Sequence, residues 1–349
     1  MKKFLCFALI LILAVSFIGC RRDNRGTAAA AQQGEPTGRI MIYTSMYEDI
    51  IEAVERILAR QFRNATIEFF YGGTGRIQAL IAAEEAAGRL NCDMLMVAEP
   101  SYSLELRERG MLHSFRSPEA RYLGFEFCAD GYWYPVRISN MVLAFNPERY
   151  RREQIPHSLY DFAFDSRVRG AISMSNPLTS GTAMATVTAL RDRYGYEYFD
   201  ALGRQGVFVE SGSVALTKLE TGECMVIMVL EESVLKLREE DGSRLEVIYP
   251  TDGTVVIPST IMIVNDNWNA NRNTATAEIV ANWFLSPDGQ NAIVDGWMHS
   301  PRANFPRYPF DAIPTDQIRA NSMPVVWENV FRQRAEIRER FEELVTARR

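Results

Sequence analysis

The feature that most constrains the fold is a regular alternation of strand and helix patterns beginning near Arg39. Short apolar runs that end in turn residues alternate with stretches whose apolar residues recur every three or four positions. The run RIMIYTS comes first, and an amphipathic helix pattern follows over 46–62. ATIEFFYGG, TGRIQALIAAEEAAG, CDMLMVAEP and SYSLELRERGML continue the alternation. This order predicts a mostly parallel sheet with helices on both faces.

The alternation changes near residue 131 and then resumes. GYWYPVRISNMVLAFNPERY contains two strand-like runs without an intervening helix, which predicts a crossover between two lobes over 138–145. GAISMSN opens a second series of strands and helices, and LEVIYPTDGTVVIPSTIMIVND predicts two strands that return the chain over 255–262. The tail VVWENVFRQRAEIRERFEEL predicts one amphipathic helix.

The N-terminal segment has the pattern of an export signal. Lys2 and Lys3 precede an apolar run over 4–15, which is too short for a comfortable membrane span. The segment ends in SFIGC, which resembles a bacterial lipobox and implies that Cys20 is the first mature residue and carries lipid. An ordinary signal peptide with a chance cysteine is the alternative. Residues 1–20 are therefore predicted to be a lipoprotein signal, and the polar stretch 21–38 a flexible tether.

Composition excludes several classes of partner and chemistry. The net charge is −6 and no long basic stretch is present, so we expect no nucleic-acid partner. No catalytic signature such as G-x-S-x-G, a P-loop or H-E-x-x-H occurs, so we expect no enzyme activity, with a secreted hydrolase as the alternative of another class. No histidine has a second ligand three or four positions away, and no metal site is expected. The cysteines after the signal are predicted to be small buried hydrophobic residues: Cys92, Cys128 and Cys224.

Four predicted strand ends are followed by small and hydroxyl-bearing residues just before a helix. They are Tyr43–Ser45, Gly72–Gly75, Thr179–Thr182 and Ser211–Ser213. Each is explained by helix capping alone, because such side chains accept hydrogen bonds from the first free N–H groups. Several of them facing one cleft would instead form an anion site, because helix N-termini carry unpaired N–H groups and a positive dipole end. Ligands of open parallel sheets bind beyond the carboxyl ends of the strands, where all four loops are predicted.

These motifs together resemble bacterial ABC-transporter substrate-binding proteins. The segments that carry the resemblance are IYTSMYEDIIEAVERILARQF, SNMVLAFNPERY, PLTSGTAM, GSVALTKLETGE and ANWFLSPDGQNAIV. The closest cluster contains ferric-ion, thiamine, aminoethylphosphonate and hexose-phosphate binders. The resemblance implies an α/β, two-lobed periplasmic-binding-protein fold of type II character, each lobe a mostly parallel sheet flanked by helices, with hinge crossovers. Lobe 1 is expected over 39–142 and 257–305, and lobe 2 over 143–256 and 306–349.

The resemblance also implies the partners and the location. A small-molecule ligand would be captured between the lobes and delivered to an ABC permease, with no cofactor. We expect a monomer that is tethered by its lipid to a membrane of the cell envelope, on the periplasmic or extracellular face.

The identity of the ligand is left open among several chemistries. Similar ferric-ion binders have a tyrosine pair that falls here at Glu232 and Ser233 and a histidine that falls at Tyr47, whereas their glutamate is matched by Glu99. Loss of the pair, together with the hydroxyl-rich loops, favours a phosphorylated or phosphonate solute, first of all a sugar phosphate. Glu231 or Glu232 would bind the hydroxyls or amine of that ligand. The alternative is that both residues only form the first turn of a helix, where acidic side chains are favoured. Ferric ion is one alternative ligand. Thiamine or its phosphate is another, because the thiamine ring could stack on the aromatic cluster at 132–134. The expected ligand contacts are Thr44, Ser45, Tyr47, Thr74, Glu99, Thr179, Ser180, Gly181, Thr182, Ser213, Glu231 and Glu232.

Overall fold

The computed structural model describes residues 35–347. The predicted signal segment, Cys20 and most of the predicted tether lie outside the described residues. Across 35–347, every helix is too short or too polar to cross a bilayer.

One mixed sheet organises the described chain. Its strands are β1 Gly38–Thr44, β2 Ala65–Tyr71, β3 Met94–Ala98, β4 Leu112–His113, β5 Tyr134–Phe145, β6 Ile172–Ser175, β7 Phe208–Glu210, β8 Val226–Leu230, β9 Glu246–Ile248 and β10 Val255–Val264. The spatial order is β2-β1-β3-β10-β5-β8-β6-β7, with β4 beside β10 and β9 beside β5. The two flanks pair in parallel, as predicted, because each strand is followed by a helix that carries the chain back along the sheet.

Helices cover the sheet, and most of the amphipathic segments form where their periodicity predicts. The helices are α1 Glu48–Gln61, α2 Thr74–Ala86, α3 Ser101–Glu108, α4 Leu159–Phe164, α5 Gly181–Tyr194, α6 Glu197–Gln205, α7 Gly212–Thr221, α8 Glu231–Glu240, α9 Thr274–Leu285, α10 Pro287–Asp295, α11 Thr315–Ala320, α12 Trp327–Arg332 and α13 Arg334–Phe341. Sequence patterns had not predicted α4, α6 and α11.

The centre of the sheet is an antiparallel pair, β5 and β10. The two strand-like runs expected around residue 138 form the single strand β5, which is buried along its whole length. β10 pairs with it from Val255 opposite Met141 to Ile261 opposite Tyr134. Both strands therefore continue from one flank of the sheet into the other, where the sequence had predicted crossovers.

Separate apolar cores lie on the two flanks. We call lobe 1 the elements packed around Ile42, Met96 and Ile261, together with the neighbouring cluster that contains Leu106 of α3. Lobe 2 comprises the elements packed around Met174 and Phe341, with a smaller adjoining cluster beside it. The residue boundaries predicted for the lobes stay a prediction. Cys92, Cys128 and Cys224 are buried among apolar side chains, as predicted.

The predicted single tail helix is wrong: the chain forms α12 and α13, separated by Gln333. This residue has φ −109° and ψ 7°, outside the helical region. Arg332 on one side pairs with Glu108 of α3, and Arg334 on the other pairs with Glu105 of the same helix. Residues two positions apart do not share a face of a continuous helix. The break therefore lets both arginines reach α3, a requirement that the periodicity of the tail does not encode.

Candidate functional site

A cavity of ≈ 570 Å³ lies between the two lobes, and helix N-termini surround it. The N-cap residues of five helices line it: Tyr47, Gly73, Ser180, Ser211 and Leu230, of α1, α2, α5, α7 and α8. Unpaired N–H groups and the positive ends of five helix dipoles therefore converge on one space. Such convergence favours an anionic group over a neutral or cationic one.

Arg137 of β5 lies in the wall of the cavity and is almost completely buried. The residue is only 4% exposed, and one guanidinium nitrogen donates a hydrogen bond to Ser45 Oγ at 3.1 Å. Another contacts Met298 Sδ at 3.0 Å, whereas Nε has no hydrogen-bond partner. Within residues 35–347 no carboxylate forms an ion pair with it, and burial lowers its pKa. A buried cation left in this state is an attractive partner for an anion that enters the cavity.

Glu232 and Tyr47 add two acidic groups whose pKa values are raised by burial. The carboxyl of Glu232 accepts a hydrogen bond from Ser139 Oγ at 2.7 Å, and burial raises its pKa despite that bond and the nearby Arg137. Burial, helped by the charge of Glu232, raises the pKa of Tyr47 to about 12. The Tyr47 hydroxyl lies 3.0 Å from Ser233 Oγ. Burial therefore disfavours the charged form of both groups, and both side chains can form hydrogen bonds with a polar ligand.

Two loops from opposite lobes touch beside the cavity. The amide of Gly75 donates to the carbonyl of Thr179 at 3.2 Å. A Cβ at Gly75 would lie 3.1 Å from that same carbonyl oxygen, and a Cβ at Gly181 would lie 2.9 Å from Thr74 Oγ1. Glycine at both positions lets the N-termini of α2 and α5 approach each other closely.

The expected capping role of the loop before α5 is confirmed. Ser180 Oγ accepts from the amide of Ala183 at 3.2 Å, and it lies 3.0 Å from Thr182 Oγ1. Ser180 therefore has a structural role of its own, whereas Thr182 lines the cavity without capping the helix.

Eight of the twelve predicted contacts line the cavity: Ser45, Tyr47, Thr74, Thr179, Ser180, Gly181, Thr182 and Glu232. The other four, Thr44, Glu99, Ser213 and Glu231, lie outside the lining and have partners within the protein. Thr44 Oγ1 donates to Met96 O at 2.9 Å, and Glu99 accepts from the Ser101 amide at 2.7 Å. Ser213 Oγ lies 3.1 Å from Ser211 Oγ, and Glu231 Oε2 lies 3.0 Å from Nε2 of His299. A ligand contact by any of the twelve stays a prediction.

Sequence reasoning missed several residues of the cavity wall, above all Arg137. The sequence contained a signal for this residue, because YPVRISN places an arginine within a buried strand pattern. Burying that charge costs free energy unless the arginine has a partner. The other missed residues are polar or aromatic and come from strands, helix starts and a loop that only folding brings together: Tyr71, Arg76, Ser139, Ser175, Asn176, Glu210 and Ser233.

Two parallel flanks joined by long central strands, with a polar cavity between two cores, define a two-lobed periplasmic-binding-protein fold. The sequence pattern of the family described as bacterial extracellular solute-binding protein matches residues 104–325. The chain belongs to this family, and it is a substrate-binding protein of an ABC import system, whose class binds a small ligand outside the cytoplasm and delivers it to a permease. The search of curated proteins found no match.

Solved structures support the fold. The periplasmic binding protein AfuA from Actinobacillus pleuropneumoniae, with exogenous fructose-6-phosphate bound, is 20% identical with a TM-score of 0.76, over 88% of this chain and 99% of that one. Iron-bound HitA from Pseudomonas aeruginosa is 18% identical with a TM-score of 0.75, over 88% and 99%. A substrate-binding protein of an ABC transporter from Agrobacterium tumefaciens is 17% identical with a TM-score of 0.76, over 88% and 94%. At these identities the likeness concerns the fold alone.

Proposed function

We propose that this substrate-binding protein captures a small phosphorylated or phosphonate anion, with a sugar phosphate as first choice. Arg137 is the single observation that carries the proposal, because a buried guanidinium without a carboxylate partner requires compensation. A phosphate offers several acceptor oxygens, and its hydrogen bonds to charged donors are stronger than neutral ones. A cavity of ≈ 570 Å³ lies within the usual range for small-molecule sites.

The remaining wall residues fit the uncharged part of such a ligand. Glu232, Tyr47 and Ser233 offer hydrogen-bonding groups at the wall next to Arg137. In this proposal the helix N-termini and Arg137 hold the anionic group, and Glu232 selects among hydroxyls or amines. AfuA, which has the same fold, was solved with fructose-6-phosphate bound, so the fold is compatible with this ligand class.

Ferric ion is the second candidate, because HitA has the same fold and binds iron. Hard ferric ion requires anionic oxygen ligands. Burial instead raises the pKa of Tyr47 to about 12 and also raises that of Glu232. Glu99, the residue that matches the glutamate of ferric binders, lies outside the cavity lining and beside Arg334. These features favour the phosphorylated ligand.

The test combines two measurements. Mass spectrometry of the small molecules released by denaturing the purified protein should reveal a phosphorus-containing anion. Calorimetry should then show binding of glucose 6-phosphate or aminoethylphosphonate in preference to ferric citrate and thiamine phosphate. Tight ferric binding that is unaffected by replacing Arg137 or Thr182 would refute the proposal.

The anchoring and assembly are also proposed rather than observed. We propose that Cys20 carries the lipid that holds the protein to the membrane, and that the protein acts as a monomer with the lobe boundaries predicted above. The SFIGC segment and the polar stretch after it support the anchor.

A further inference from the structure

One polar connection between the lobes outside the cavity is centred on Arg334. We call Arg334, Glu99, Ser101 and Glu105 the cross-lobe cluster. Arg334 begins α13, whose Ile337 belongs to the lobe 2 core, whereas its three partners lie in α3 or just before it, in lobe 1. The guanidinium donates to Glu105 at 2.9 Å and to Ser101 Oγ at 2.7 Å, and its contact with Glu99 is 3.5 Å long.

The ion pairs of the cluster are less exposed to water than a surface pair, so breaking them costs more free energy. The side chain of Glu99 is 1% exposed and that of Arg334 is 15% exposed. By contrast, Arg332 and Glu108, which also join the lobes, are 53% and 48% exposed. Exposed pairs contribute little to stability, whereas separating a shielded pair leaves buried charges without partners.

The backbone conformation of Glu99 is uncommon, and it places the carboxylate of Glu99 in the cross-lobe cluster. Its φ is 65°, in the left-handed region that residues other than glycine seldom adopt. In this conformation its carboxylate accepts from the Ser101 amide at 2.7 Å and faces Arg334.

The same helix also contacts the cavity wall. Arg338, one turn after Arg334, donates to the carbonyl of Leu178 at 3.2 Å. The next residue, Thr179, accepts the amide of Gly75 from lobe 1. Helix α13 thus connects α3 with the loop that completes the cavity when the lobes are together.

We propose that Arg334 positions the two lobes in the closed arrangement and sets the ratio of closed to open molecules. The residue does not line the cavity, so its replacement should weaken all ligands by one common factor, through a smaller closed population. Replacement of a cavity residue should instead change the preference among ligands. The inference rests on the solute-binding function of the family but not on a phosphorylated ligand.

Hydrogen exchange of the Gly75 amide provides a test that needs no ligand. This amide is in the first turn of α2, where it has no partner within the helix, and its bond to Thr179 O exists only while the lobes are in contact. The amide of Ile77 is the matched control, because it bonds to Gly73 O at 3.1 Å within lobe 1. The measurement uses the full chain, dialysed free of ligand and analysed by mass spectrometry with fragmentation to single residues.

Arg334→Gln should raise the exchange rate at Gly75 by about tenfold or more and leave Ile77 unchanged. Glu105→Gln removes the partner from the lobe 1 side and should act in the same direction. Arg340→Gln is the control variant, because Arg340 lies on the same helix but pairs with Glu343, just after the end of that helix, and not with lobe 1. Equal Gly75 exchange in the wild type and both cluster variants would overturn the proposal. A common rise at Gly75, Ile77 and the central strands would also overturn it, because that pattern is a global loss of stability.

Discussion

Replacing Arg137 with Met separates a binding role from a structural one, because the two roles predict opposite changes in stability. The buried guanidinium has one hydroxyl partner, one sulfur contact and an unpartnered Nε. Burial lowers its pKa, which means that the protein disfavours the charge. Met matches the aliphatic stem of arginine, so Arg137→Met removes the charged group and keeps the apolar packing of the stem.

The magnitudes follow from these contacts. The free energy of unfolding of the ligand-free variant should not fall, and should rise by on the order of 1 kcal/mol, because an uncompensated buried charge has been removed. Affinity for an anion should fall by about 1.5–3 kcal/mol, or roughly ten- to a hundredfold, because a charge-assisted hydrogen bond is lost. Arg76→Met is the matched control, since Arg76 lines the same cavity but is exposed and stacks 5.3 Å from the ring centre of Phe70. Its loss should reduce affinity about fivefold or less.

Two assays check the pair of variants. Urea unfolding of ligand-free protein gives the change in stability, and calorimetry with glucose 6-phosphate gives the change in affinity. A less stable Arg137→Met protein with unchanged affinity would show that the arginine serves the fold, and the reasoning would be refuted.

Three further predictions concern other parts of the chain. Thr182→Ala should weaken binding of a phosphorylated ligand about tenfold by calorimetry, whereas Ser213→Ala, a hydroxyl outside the cavity, should leave it unchanged. Burial raises the pKa of Glu232 above its unfolded value, so its contribution to stability is full below about pH 4.3 and is lost as pH rises through the folded pKa. Glu232→Gln should therefore gain stability relative to the wild type between pH 4 and 7, and a melting-temperature difference that shrinks over this range would contradict the assignment. Cys20→Ala should move the protein from the membrane fraction to the soluble fraction, and a variant retained in the membrane pellet would exclude the lipid anchor.

Local signals were enough to locate much of the candidate site. The hydroxyls and glycines before α2, α5 and α7 mark helix starts, and helix starts at the carboxyl ends of parallel strands meet at one edge of a sheet. That rule brought Ser45, Thr74 and Thr182 into one cavity. It could not separate Glu231 from Glu232, because adjacent residues at a helix start point in different directions. The contacts of Glu231 with His299 and of Glu232 with Ser139 of β5 decide that only Glu232 lines the cavity.

The sequence by itself determined the alternation of most strands and helices, the segments that form the two central strands and the family, because apolar periodicity and turn residues are local properties. The tertiary structure alone decided the breaks and the partners. Arg137 became a candidate anion site only because folding buried it without an ion pair to any carboxylate of residues 35–347. Glu99 became the partner of an arginine that lies 235 residues further along the chain. The tail divided at Gln333 because Arg332 and Arg334 both reach α3. Contacts of this kind depend on the relative placement of distant elements, which periodicity along the chain does not encode.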